Sequence, residues 1–165
     1  RGRLHAAGTY GGALSSAIHR FKYRGERGLA RELGGLVASR VAADLATGRS
    51  LDVVVPAVLH AERARERGYD QARLLAAVVA ERCALPLRMP LRRIRSSRPQ
   101  VDLDRIARAR NLRGAFVAEA DALRGLRVAL VDDVCTTGAT LAAAAAACRA
   151  AGAREVRMYV VALDD

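Results

Sequence analysis

Residues 128–140, VALVDDVCTTGAT, concentrate the residue types that can do chemistry. They read as an apolar run, two adjacent carboxylates, a Thr/Gly loop and the start of a helix. In open parallel sheets, ligands bind at the carboxyl ends of the strands, and this loop falls there. The first N–H groups of a helix have no partner inside it, and the helix dipole favours an anion at that end. Gly138 lets a ligand approach the backbone, and the hydroxyls of Thr136, Thr137 and Thr140 add donors. A phosphate monoester suits such a loop. Asp132 and Asp133 carry the wrong charge for phosphate; they suit a sugar diol, or a metal ion beside it. The pattern points to a phosphorylated sugar, with its phosphate in the loop and its hydroxyls on the acids. The plainer alternative is a strand-to-helix turn capped by Thr136, Thr137 or Thr140. Cys135 reads as a small filler. The Lys of a P-loop and the GxGxxG of a dinucleotide fold are both missing.

The rest of the chain must hold this stretch in place. Residues 12–23 carry Leu14, Ile18 and Phe21 at helical spacing, and Gly25 and Gly28 break the pattern. Leu29, Leu33, Leu36, Val37, Val41 and Leu45 make a long amphipathic stripe that stops at Gly48. Residues 51–56 form a short β-branched run ended by Pro56, hence a buried strand. Residues 69–83 are helical again. Residues 85–91 contain two prolines and suit an edge or irregular strand. Residues 106–112 make at most a short basic helix, and Phe116-Val117 a minimal strand. Residues 127–133 are a strong buried strand ending in the two carboxylates. Residues 140–151 form an Ala-rich helix closed by Gly152, whose small side chains allow close packing on a sheet. Residues 155–163 are the last strand. Strands alternating with helices predict an α/β fold with a mostly parallel central sheet.

The length of 165 residues fits one domain. Apolar residues make up 52% and charged residues 27%, which excludes bulk disorder. No apolar run is long enough to span a membrane, and no secretory leader opens the chain. The chain starts at Arg1 without a Met, as a trimmed fragment would. Cys83, Cys135 and Cys148 are an odd number at wide spacing, so neither a zinc ribbon nor a disulfide framework is encoded, and a reducing, cytoplasmic setting is expected. The formal charge is +11, and 27 of the 28 basic residues are Arg. A GC-rich genome explains Arg over Lys but not the positive sign. Residues 88–113 hold nine Arg against Asp102 and Asp104, a net +7. With Ser96, Ser97 and Pro99 and no clean apolar period, this segment reads as a mobile loop that meets an anion. Arg63, Arg65 and Arg67 form a second knot, partly offset by Glu62 and Glu66.

The acidic pair and its loop resemble the signature of the type I phosphoribosyltransferases, which bind 5-phosphoribosyl 1-pyrophosphate. Three further segments resemble one branch, the ComF family of competence-related proteins. They are FKYRG at 21–25, RARERGYDQARLL at 63–75, and the stretch from Arg98-Pro99-Gln100 to NLRGAF at 111–116. The resemblance spans most of the chain. It implies one phosphoribosyltransferase-like domain over residues 1–165. Residues 1–50 would be a helical N-terminal part forming a small hood, and residues 51–165 the core sheet, with a flexible basic segment at about 92–113. It places the ribose hydroxyls on Asp132 and Asp133. The 5-phosphate goes to Thr136, Thr137, Gly138, Ala139 and Thr140, and the pyrophosphate to the turn Pro56-Ala57-Val58. Arg63 and Arg67, four apart, would clamp pyrophosphate or else pair with Glu62 and Glu66; Lys22 would contact pyrophosphate or substrate. His60, beside that turn, is a lesser candidate, and Tyr69 and Gln71 suit core packing and capping better than base contact. Many relatives have Pro where Val58 stands, Asn where Asp70 stands, and an N-terminal cysteine zinc ribbon that is missing here; an amino-terminal part is therefore expected to be lacking.

The implied activity is that of a pentosyltransferase of nucleoside metabolism. A nitrogen nucleophile such as a nucleobase displaces pyrophosphate at the ribose C1 through an oxocarbenium-like transition state. Mg²⁺ is the implied cofactor, held largely by substrate oxygens and water. No covalent nucleophile set is legible. The alternative is a non-catalytic, competence-related module binding single-stranded DNA through the Arg-rich segment; a third option is a sensor of the phosphosugar. A homodimer is a further option.

Overall fold

The computed structural model describes residues 4–58, 60–94 and 114–164. Four strands form the main sheet: β1 (Leu4–Thr9), β2 (Val53–Pro56), β5 (Arg127–Cys135) and β6 (Glu155–Leu163), in the order β1-β6-β5-β2 and all parallel. The predicted β5 gains two residues, and β6 has the expected bounds. β2 and β5 run in register from Val53 opposite Val128 to Pro56 opposite Val131, so their carboxyl ends reach the same edge. At the other edge the Asp52 carboxylate accepts from Arg127 N, Nε and Nη2 at 2.6–2.8 Å, pinning the starts of both strands. That pairing holds Asp52 down at about 2.

Alternation along each strand feeds two cores. Val53, Val55, Val128, Leu130, Val156 and Val160 face one side. There they meet α5 (Ala139–Ala150) and the small antiparallel pair β3 (Leu91–Arg93) and β4 (Phe116–Ala118). Leu141, Ala144, Ala145 and Cys148 form the buried stripe of α5; its alanines bring the helix axis close to the sheet. Val54, Ala129, Val131, Tyr159 and Val161 face the other side. They are covered by α1 (Gly12–Tyr23), α2 (Leu29–Ala46) and α4 (Gln71–Cys83). A short helix, α3 (Ala61–Arg67), crosses the carboxyl edge between β2 and α4.

Two local outcomes depart from the linear pattern. β1 arises in residues whose sequence shows no strand signal; LHAAGT becomes a strand only by pairing with β6. In the expected helical N-terminal part, α2 packs on the sheet, and Lys22 near the C-terminal end of α1 meets Asp133 on β5. Leu36, placed in the α2 stripe by periodicity, is exposed, because α4 packs instead on Gly34 and Gly35. A Cβ at Gly34 would lie 2.8 Å from Val78 Cβ. The irregular run at 85–91 lies beside β2: Val54 N–H donates to Pro86 O, and Arg88 N–H to Val54 O, before β3 begins.

Candidate functional site

The two carboxylates stand at the carboxyl end of β5, where the strand sets them on opposite faces. Asp132 Oδ1 accepts from the Asp133 N–H at 2.8 Å, and Asp133 Oδ1 from the Val134 N–H at 2.6 Å. Asp133, 9% exposed, also meets Lys22 Nζ at 3.0 Å. Burial and the adjacent Asp133 carboxylate push Asp132 well above the usual carboxylate range; Asp70 adds to the push, while Lys22 and the Asp133 N–H oppose it. A cation, or hydroxyl donors, beside Asp132 would favour its charged form.

Cys135 closes the strand, and the loop then turns into α5. Gly138 is the N-cap in the left-handed region, φ 72°, a conformation that favours glycine. No side chain caps the helix; Thr137 Oγ1 reaches the Ala139 N–H only at a long 3.4 Å. A threonine-capped turn is therefore not what forms. A hollow of about 30 Å³ lies in the loop, lined by residues 134–141, including Thr136, Thr137, Gly138, Ala139 and Thr140. Thr136 and Thr137 are exposed to its mouth. Cys135 is buried in the core and its thiol is pushed up, which fits a filler and not a nucleophile.

At the end of β2 the chain turns through Pro56, Ala57 and Val58. Pro56 has no N–H, and the Ala57 N–H donates to Val131 O at 2.8 Å. Ala57 and Val58 bury their side chains in the core. Of these three residues, only Val58 retains a backbone N–H outside that pairing.

Beyond the acids opens a cleft of about 490 Å³, lined among the described residues by Lys22, Tyr23, Gly25, Arg63, Glu66 and Arg67. α3 is helical, so Arg63 and Arg67 do share a face. Arg67 Nη1 donates to Gln71 Oε1 at 3.0 Å, and its guanidinium lies 5.0 Å from the Tyr23 ring centroid. The 21–25 turn is tied to the site by the Tyr69 hydroxyl, which donates to Phe21 O. Tyr69 also lies 4.9 Å below Arg27. Tyr69 and Gln71 thus position neighbours. His60 caps α3, accepting from the Glu62 N–H at 3.4 Å, and stands apart from the acids' contacts. Asp70 caps α4 through the Arg73 N–H.

Two residues at the site were not singled out by sequence. Arg93, at the end of β3, lies over Phe116 at 5.4 Å; burial lowers its pKa, Arg63 lowers it further and Asp132 raises it. Tyr23 lines the cleft with 62% exposure. The only sequence hints were Arg93's place in the basic segment and Tyr23's in FKYRG. Of the expected flexible basic segment at about 92–113, residues 92–94 are described; the rest, with the expected basic helix at 106–112, lies outside the described residues. Among the described residues no cluster of three His, Cys, Asp or Glu side chains is placed to hold a metal ion, and no helix is long and apolar enough to cross a membrane.

Comparison with known proteins bears on this geometry. The phosphoribosyl transferase domain family matches residues 67–165. A "DNA utilization protein YhgH" of Salmonella typhimurium is 33% identical over 161 residues, covering 95% of this chain and 70% of the relative. "Competence protein F" of Haemophilus influenzae is 32% identical over 157 residues, covering 92% and 69%. Among solved structures, the glutamine phosphoribosylpyrophosphate amidotransferase of B. subtilis superposes with a TM-score of 0.55 at 23% identity, over 81% of this chain and 26% of that one. An allosteric regulatory enzyme of purine biosynthesis gives 0.53 at 25% identity, over 79% and 25%. The chain spans about a quarter of the length of those two enzymes and shares their fold over that part.

Proposed function

This chain belongs to the phosphoribosyl transferase domain family, with competence-related ComF proteins among its relatives, and from that membership we propose that it binds 5-phosphoribosyl 1-pyrophosphate and transfers the phosphoribosyl group to a nitrogen nucleophile. One observation carries the reading: an acidic pair and an uncapped, glycine-led helix N-terminus stand together at the same strand end. The Thr136–Thr140 loop takes the 5-phosphate through backbone N–H groups and hydroxyls. Asp132 and Asp133 accept from the ribose hydroxyls. With the diol and phosphate held, C1 faces the cleft, where Arg63 and Lys22 supply positive charge for the leaving pyrophosphate. The nitrogen lone pair forms the new bond to C1, the C1–oxygen pair leaves on pyrophosphate, and the proton of an N–H nucleophile passes to the departing pyrophosphate or to water. Positioning and electrostatics carry the step; no protein nucleophile is needed.

The acidic pair fits Mg²⁺ by donor type: carboxylate oxygens are hard donors, and a cation beside Asp132 would favour its charged form. Without a third acidic ligand grouped with them among the described residues, the remaining ligands come from substrate and water. The chemistry Mg²⁺ supplies when bound is neutralisation of the departing pyrophosphate.

Calorimetry with the phosphosugar and Mg²⁺ tests the reading. Binding is expected, and Asp132→Asn with Asp133→Asn should weaken it by at least about tenfold. Pyrophosphate release with a panel of nitrogen acceptors then tests transfer. A double mutant that binds as wild type does would sink the site assignment.

The second reading, a module for single-stranded DNA, draws on the names of the relatives and on the charge of +11. Base stacking does not support it at Phe116, which is 5% exposed and already lies beneath Arg93.

A further inference from the structure

Arg63 and Arg67 stand one turn apart on α3 and line the same cleft, yet their surroundings differ. Arg63 shares the cleft lining with Lys22, whose Nζ meets Asp133 at 3.0 Å. Arg67 is held from other directions. Its Nη1 donates to Oε1 of Gln71, a side chain 1% exposed, and its plane rests over Tyr23. Tyr23 is braced by His19, ring centroids 4.9 Å apart. Among the described residues Arg67 has no carboxylate partner, whereas the charge of Lys22 is met by Asp133.

The cleft volume of about 490 Å³ is that of a small-molecule site, which typically measures roughly 300–1,000 Å³. A guanidinium fixed by a buried amide and an aromatic ring loses little freedom on taking a ligand. Its planar fork matches a carboxylate at two points. One such fork suits one carboxylate. Glu66, exposed on the same lining, repels a dianion more strongly than a monoanion.

We propose that Arg67, held by Gln71 and Tyr23, selects an acceptor that bears a carboxylate. The nitrogen compound that receives the phosphoribosyl group is then an acid and not a neutral base. The assignment rests on the transferase reading above and divides the cleft. Arg63 serves the pyrophosphate, and Arg67 serves the acceptor. Gln71 is a positioning residue, acting only through Arg67.

The test uses matched pairs: pyridine-3-carboxylate against its carboxamide, uracil-6-carboxylate against its carboxamide, and 2-aminobenzoate against 2-aminobenzamide. Each is titrated by calorimetry into protein loaded with ribose 5-phosphate, pyrophosphate and Mg²⁺, a mixture that cannot react. At least one acid should bind about tenfold tighter than its amide. Arg67→Gln should erase that preference, Arg67→Lys should keep part of it, and Gln71→Ala should reduce it. Amides that bind as well as acids, a preference unchanged in Arg67→Gln, or no binding by any of the compounds overturns the proposal. A parallel titration with 5-phosphoribosyl 1-pyrophosphate and Mg²⁺ separates the two levels. If the phosphosugar binds and no acid is preferred, only the acceptor assignment falls. If the phosphosugar itself does not bind, the transferase reading falls and takes the acceptor role with it.

Discussion

In the unfolded chain Asp132 ionises in the ordinary carboxylate range. In the fold, burial and Asp133 push it well above that range. A carboxyl with a raised folded pKa favours the fold at low pH, and that contribution is lost as pH rises from the ordinary range through the raised value. Asp132→Asn removes the penalty and keeps an Oδ1 to accept from the Asp133 N–H. The variant should therefore melt above wild type at pH 7.5, with the gap closing toward pH 4, while losing phosphosugar affinity. Thermal melts across that pH range check the sign; a variant less stable at every pH refutes it. Lys22→Met should do the reverse, since Lys22 opposes the rise. The acidic pair and the Thr/Gly loop were legible in the sequence because their neighbours in space are their neighbours in the chain. Lys22 meeting Asp133, and Arg67 meeting Tyr23, were not, because each contact joins segments far apart in sequence.

Helix packing explains where periodicity misled. α2 shows Leu36 in a plausible stripe, yet Gly34 and Gly35 form the face against α4 because a backbone without Cβ admits Val78 and Arg82. Gly34→Ala would put its Cβ 2.8 Å from Val78 Cβ. Overpacking of this kind costs about 1–3 kcal/mol, which urea unfolding should register as a lower midpoint with an unchanged slope. Leu36→Ala serves as the control and should leave the midpoint nearly where it was, since Leu36 is 46% exposed. β5, α5 and β6 were readable from sequence because their apolar stripes agree with their propensities. β1 was not: residues 4–9 have weak strand propensity and no alternating pattern, and only the β6 edge makes them a strand.

At the scale of the whole molecule, the charge of +11 attracts any polyanion, whichever reading of the site holds. Binding of single-stranded DNA, where it occurs, should be electrostatic and fall at least about tenfold between roughly 50 and 200 mM salt. Pyrophosphate should compete, because Arg63 and Lys22 line one cleft and Lys22 meets Asp133. A fluorescence titration that finds tight binding at high salt, indifferent to pyrophosphate, would place DNA on a different surface. The parallel α/β sheet, the buried strand carrying two adjacent acids and the Thr/Gly loop leading into a helix were determined by the sequence itself. Each rests on short-range alternation, propensity or backbone geometry. Tertiary structure alone decided which cations meet those acids and which side chain caps which helix. It also decided that Ala57 and Val58 pack their side chains into the core and that the Ala57 N–H pairs with Val131 O. Those outcomes depend on the parallel register of β2 with β5 and on the approach of α1 and α3 to one sheet edge, and contacts between residues so distant in the chain leave no periodic trace in it.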